Sequence, residues 1–187
     1  MRLFVALEIP STIRQNLATL MSAFRAITKE PRWVRAENLH VTLKFLGEVA
    51  EGNVDAVCGA LTEIRSDKPV AVEFRGLGFF PNEKHARIFW AGMEASPNLK
   101  ALAGNMEEAV EKFGIPREKR EFSPHLTLAR LERPHLPEAL GKLIADNQQR
   151  EFGSLRTNEF HLIHSRLKPT GAQYTTLATF QFAPNVE

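Results

Sequence analysis

Two tetrapeptides of one pattern, His40-Val41-Thr42-Leu43 and His125-Leu126-Thr127-Leu128, stand 85 positions apart in a chain of 187 residues. Both lie in apolar runs that read as β-strand, where side chains two apart share a face, so each copy sets an imidazole beside a hydroxyl. The likeness extends around them. Arg2 to Ile9 is an apolar strand run followed by the helix-start signal Pro10-Ser11 and a helical stripe through Ile13, Leu17, Leu20, Met21 and Phe24. Arg87 to Met93, then Ser96-Pro97 and a stripe through Leu99, Leu102, Met106 and Val110, repeat that design. Behind each His-x-Thr strand comes a second helical stripe, Val54, Val57, Cys58, Leu61 and Ile64 in one copy and Leu136, Leu140, Leu143 and Ile144 in the other. A strand run closes each half, Val70 to Phe74 and Phe160 to His164.

The chain thus reads β-α-β-α-β twice, an α+β pattern with opening strands 84 positions apart, Arg2 to Ala86. A period that long marks a duplicated lobe and not a solenoid unit. The expectation is one two-lobed domain over 1–187 with a pseudo-repeat of about 1–80 and 84–183, because neither lobe alone buries a comfortable core. Two such lobes packed about a pseudo-twofold axis would set His40 and Thr42 opposite His125 and Thr127 across a central cleft.

Composition narrows the function classes. No stretch is long enough to span a membrane, and the apolar run between Arg2 and Glu8 is too short for the apolar region of a signal peptide. The expected home is the cytoplasm and the expected state a monomer. Cys58, the single cysteine, falls on an apolar helix stripe and reads as a buried thiol. A net charge of +2 is too small for a long nucleic-acid track. Locally, Arg117, Lys119, Arg120, Arg130 and Arg133 gather around the second motif, and Arg166 and Lys168 follow later. Glu118, Glu121 and Glu132 partly offset them, so a solvated surface and a phosphate-attracting rim both stand open.

Six histidines require a test for metal binding. There is no His-Glu-x-x-His, no Cys-x-x-Cys and no carboxylate cluster at ligand spacing. His161 and His164, three apart in a strand run, point to opposite faces, and His85 and His135 sit in polar or proline-flanked turns. No metal and no cofactor is expected.

Taken alone, His40 or His125 reads as a half-buried strand histidine bonded to its threonine, and either threonine is an ordinary strand residue. Two copies at matching places favour chemistry. Imidazoles with an ordinary pKa of about 6.5 can supply one neutral and one protonated partner at neutral pH. The neutral one can take a proton from attacking water and the charged one can protonate a departing oxygen. Hydroxyls beside them can bond the non-bridging oxygens of a phosphodiester as charge gathers there.

The opening Arg2 to Leu7, Trp33-Val34, the run from Glu37 through His40-Val41-Thr42-Leu43-Lys44-Phe45 to Glu48, Ser123-Pro124 through Arg130, and the closing Ser165, Leu167, Gly171 and Tyr174 together resemble one family. It is the two-histidine phosphoesterases, and within them the RNA 2′,3′-cyclic phosphodiesterases first called 2′-5′ RNA ligases. The likeness covers nearly the whole chain. It implies a bilobal fold with two antiparallel sheets lining a cleft, and hydrolysis of the cyclic phosphate of RNA ends or small cyclic nucleotides to a 2′-phosphomonoester. By the same resemblance His40 is the general acid at O3′, His125 the general base for water, and Thr42 and Thr127 hold phosphate oxygens. Phe45 and Arg130, five after each histidine, are further candidate substrate contacts. Strict alternation turns both away from the histidine's face, so they contribute only if the strand ends, twists or bulges. Core packing for Phe45 and a surface ion pair for Arg130 stand beside that reading. Three rival functions remain: a phosphodiesterase for another cyclic or 2′,5′-linked nucleotide, RNA end joining in the reverse direction, and a non-catalytic binder of RNA ends.

Overall fold

A computed structural model describes residues 1–29, 31–132, 138–169 and 171–184. Arg133, His135 and Leu136 lie outside the described residues. The first half runs β1 (Arg2–Glu8), α1 (Ser11–Ile27), a short β2 (Arg32–Trp33), β3 (His40–Glu48), α2 (Val54–Thr62) and β4 (Val70–Phe80). The second runs β5 (Ile88–Ala95), α3 (Asn98–Glu111), β6 (Leu126–Arg130), α4 (Glu138–Asp146), β7 (Glu151–Thr157), β8 (Glu159–Lys168) and β9 (Gly171–Gln181). The apolar stripes read from the sequence are the buried faces of their helices: Ile13, Leu17, Leu20, Met21 and Phe24 in α1, and Leu99, Leu102, Met106 and Val110 in α3.

The helix starts differ from the expectation. Pro10 and Pro97 occupy the cap positions, and no side chain caps either helix. Ser96 turns to the neighbouring strand instead, where its hydroxyl accepts the Ala71 N–H at 3.0 Å.

The strands form two antiparallel sheets, ordered β3-β1-β8-β9 and β2-β6-β5-β4-β7. The strand that closes each half pairs with the opening strand of the other half. β4 joins β5 through one short turn, and a short link between antiparallel strands favours a hairpin over a return to β1. β8 then fills the place beside β1. One continuous core lies behind both sheets under the helices, while Phe4, Ala6 and Ile163, with Tyr174 against them, form a small separate cluster on the opposite face of the first sheet.

Both His-x-Thr strands carry a bulge at the same place. Between β1 and β3 the pairing passes from Ala6 opposite Thr42 to Val5 opposite Lys44, leaving Leu43 without a partner. Between β5 and β6 it passes from Trp90 opposite Thr127 to Phe89 opposite Ala129, leaving Leu128 over. An extra residue reverses the alternation beyond it. Phe45 and Arg130 therefore return to the face of His40 and His125, and Lys44 turns inward. Its ammonium group, on a side chain only 1% exposed, pairs with Glu107 at 2.6 Å and donates to the Pro116 carbonyl at 2.7 Å. Glu107 also accepts the Glu118 N–H at 3.2 Å, so the bulge ties β3 to α3 and to the segment leading to His125.

The first sheet is strongly coiled. Asn38, at the entry to β3, donates its side-chain amide to the Ala172 carbonyl in β9 at 2.8 Å, although these residues belong to diagonally opposite corners of the sheet. The twist of successive strands brings such corners together on the concave side. Among the described residues no helix is long and apolar enough to cross a membrane.

Candidate active site

The motif histidines are held alike. The His40 Nδ1–H donates to the Asn38 carbonyl at 2.6 Å, and the His125 Nδ1–H donates to the Ser123 carbonyl at 2.8 Å. A carbonyl oxygen only accepts, so in both rings Nδ1 carries the hydrogen and Nε2 is left for chemistry. His40 Nε2 meets the Thr42 hydroxyl at 3.0 Å. Among the described residues His125 Nε2 has no hydrogen-bond partner. β3 and β6, the strands that carry the two motifs, approach each other to within 8 Å between Cα atoms.

Aromatic rings wall both histidines. Phe4 lies 4.6 Å from the His40 ring and Tyr174 lies edge-on at 5.2 Å, with Phe45 6.1 Å from Phe4. On the other side Phe80 stands edge-on to His125 at 4.9 Å. A cavity of about 360 Å³ opens beside His40 between Glu8, Arg14, Arg35 and Tyr174, and one of about 380 Å³ opens beside His125 between Phe80, Trp90 and Gln148.

The remaining sequence candidates divide. Phe45 is 53% exposed and so not a core residue. Arg130 is exposed and forms no ion pair among the described residues. Burial raises the Tyr174 pKa, and the positive charges of Arg130 and Arg2 oppose that rise, so Arg130 of the second sheet stands near the tyrosine that covers His40 in the first. The basic residues around the second motif do not act as one group: Arg117 pairs with Glu111 at 2.9 Å on the surface, while Arg130 lies on the face of Thr127. His161 and His164 take opposite faces, opposite Ala6 and Leu3 respectively, and both are buried. His85 closes a surface turn whose first residue, Asn82, accepts its N–H. Among the described residues no three His, Cys, Asp or Glu side chains come together as a metal site requires.

Phe4, Asn38, Phe80 and Trp90 surround the motif histidines, and none of them is among the site candidates read from the sequence. Phe4 was findable only by pairing, since it shares the face of Ala6 and Glu8, and Glu8 lies opposite His40.

Burial holds the His40 pKa below its ordinary 6.5, against the opposing effect of the Asn38 hydrogen bond. The folded ring resists protonation that the unfolded ring accepts. The contribution of neutral His40 to stability is thus complete above the unfolded pKa of about 6.5 and is lost as pH falls below it. The melting temperature should fall more steeply between about pH 7.5 and 5.5 in the wild type than in His40→Gln. Inorganic phosphate should narrow that gap by stabilising the imidazolium. Parallel curves for the two proteins would show that burial does not govern this ring.

The model of the LigT-like phosphoesterase family matches residues 7–90 and again 93–174. The chain belongs to the LigT-like phosphoesterase family. It is 32% identical to a Methanothermobacter thermautotrophicus protein named RNA 2′,3′-cyclic phosphodiesterase, over 96% of this chain and 98% of that one. A protein of the same name from Archaeoglobus fulgidus is 33% identical over 97% of this chain and all of its own. Among solved structures, a Thermus thermophilus protein superposes with a TM-score of 0.81 at 30% identity, covering 97% of this chain and 98% of its own. Escherichia coli LigT complexed with 3′-AMP superposes with a TM-score of 0.76 at 28% identity over 97% of both chains. In this LigT-like chain each of the two successive matches contains one His-x-Thr motif.

Proposed function

We propose that this LigT-like protein hydrolyses the 2′,3′-cyclic phosphate of RNA ends, or of small cyclic nucleotides, to a 2′-phosphomonoester, using His40 and His125 and no divalent ion. The observation that carries this reading is the matched tethering of two imidazoles, each held through Nδ1 with Nε2 turned to chemistry. Relatives named RNA 2′,3′-cyclic phosphodiesterase over nearly the whole length, and LigT solved with a nucleotide, support the substrate class.

In the reaction, His125 Nε2 removes a proton from water as the water oxygen bonds to phosphorus, and the bond from phosphorus to O3′ breaks on the far side. His40 Nε2–H gives its proton to O3′. The half-buried His40, whose pKa burial lowers, gains that proton when a phosphodiester monoanion binds beside it, because the anion favours the charged ring. The Thr42 hydroxyl, which meets His40 Nε2 in the free protein, turns its hydrogen to a non-bridging oxygen, and Thr127 does the same from the other sheet. Arg130 offsets the growing negative charge, and Phe45 lies along the path of the nucleotide. We read the protein as one domain over 1–187, working as a cytoplasmic monomer.

A short RNA with a cyclic phosphate end, incubated with the protein in excess chelator, should give one new phosphorus NMR resonance, that of a 2′-phosphomonoester. A 3′-phosphomonoester product would place the broken bond at O2′. Turnover lost to chelator and restored by a divalent ion would remove the metal-free mechanism.

A further inference from the structure

We propose that Trp90 is a stacking platform for a nucleobase, on the His125 side of the cleft. The proposal rests on the phosphodiesterase reading above and adds where the base of the substrate lies. Trp90 pairs directly with Thr127 of β6 on one side and with Gly78 of β4 on the other. Directly paired residues share a face with Cβ atoms about 5 Å apart, so the indole begins next to the hydroxyl proposed to hold phosphate. It then lies down over Gly78. A Cβ built on that glycine would sit 2.2 Å from the indole ring, closer than any side chain tolerates, so only glycine lets the ring rest on the strand backbone. A ring lying on the sheet turns its other face outward, and Trp90 is half-buried and lines the cavity of about 380 Å³.

The surroundings suit a flat heteroaromatic ligand joined to a phosphate. Phe80 lies 5.3 Å from Trp90 and stands edge-on to His125, making one aromatic wall from the motif imidazole outward. Gln148, Gln149 and Ser123 line the same cavity and offer both donors and acceptors to the edge of a base. The His40 side is different. There the rings of Phe4 and Tyr174 pack on each other at 5.0 Å and against the histidine, covering the small Ala6. A phosphate beside Thr127 and a base on Trp90 are spanned by one ribose.

The chain has two tryptophans, and Trp33 packs in the core against Phe24 and Phe89, so indole fluorescence reports on few places. Adenosine 2′-monophosphate should quench the wild type, and the quenching should vanish in Trp90→Phe. Ribose 2-phosphate should quench neither. In turnover, Trp90→Ala should raise KM for adenosine 2′,3′-cyclic phosphate about tenfold or more, the loss expected of one stacked base, and Trp90→Phe should recover most of it. KM for the cyclic phosphate of methyl riboside, which has no base, should not change. An equal loss on the base-free substrate, or quenching that survives in Trp90→Phe, would overturn the platform. Absence of turnover on every cyclic phosphate would fail the phosphodiesterase reading, while the quenching would still decide the platform.

Discussion

Alanine in place of His40 or His125 is expected to lower kcat by about 10²- to 10⁴-fold on an RNA with a cyclic phosphate end, as loss of a positioned acid or base does. Neither ring can stand in for the other, because each is held by its own carbonyl, Asn38 or Ser123, at the head of a strand of its own sheet. The double variant should be little slower than either single one, since the two proton transfers belong to one step and groups that act as a unit are strongly non-additive. The roles separate with a leaving group better than O3′, which departs without a proton. That substrate should rescue His40→Ala and leave His125→Ala slow. Rescue of His125→Ala would exchange the roles. Full turnover in either single variant would remove the two-histidine mechanism.

The second large effect concerns stability. Glu107→Leu should cost about 3–5 kcal/mol in urea unfolding, because it leaves the ammonium group of Lys44 buried without its counter-charge. Lys44→Met should cost less, since Glu107 is 19% exposed at its side chain and keeps the Glu118 N–H. Combining Lys44→Met with Glu107→Leu should return much of the loss, because an apolar pair of similar volume needs no desolvated charge. A strictly additive double variant would show that the two residues act through separate contacts and not as an ion pair. Unfolding midpoints within error of the wild type for all three would remove the ion pair from the account of stability.

Period and spacing are read well from a sequence because they are local. The His-x-Thr pairs and the helical stripes appear as periodicities of 2 or 3.6, and the stripes of α1 and α3 are buried as read. What depends on which strand lies beside which does not appear. Strict alternation places Phe45 and Arg130 on the wrong face, and only the bulges at Leu43 and Leu128, seen through the pairing with β1 and β5, bring them back. The same bulge turns Lys44 inward to a carboxylate 63 positions away, a partner that no local pattern marks. Phe4 and Phe80 stand against the motif histidines through pairings and coiling of the sheets, and Asn38 contributes through a backbone carbonyl, which every residue type has. The closing strands were visible as strands, but their exchange between the two sheets follows from the turn between β4 and β5 and not from their composition.

That exchange governs the order in which a nascent chain can fold. A ribosome that has released residues 1–80 has delivered β1 and β3 of the first sheet together with β2 and β4, strands that belong to the second. β1 then waits with one edge open until β8 emerges, after all of β5 to β7, and an open apolar strand edge is a site for pairing with other chains. A product cut short before β8 would therefore be more prone to aggregate than a half-size length suggests. Two fragments divided at the turn between β4 and β5 would each hold a strand that the other lacks, and together they would complete both sheets.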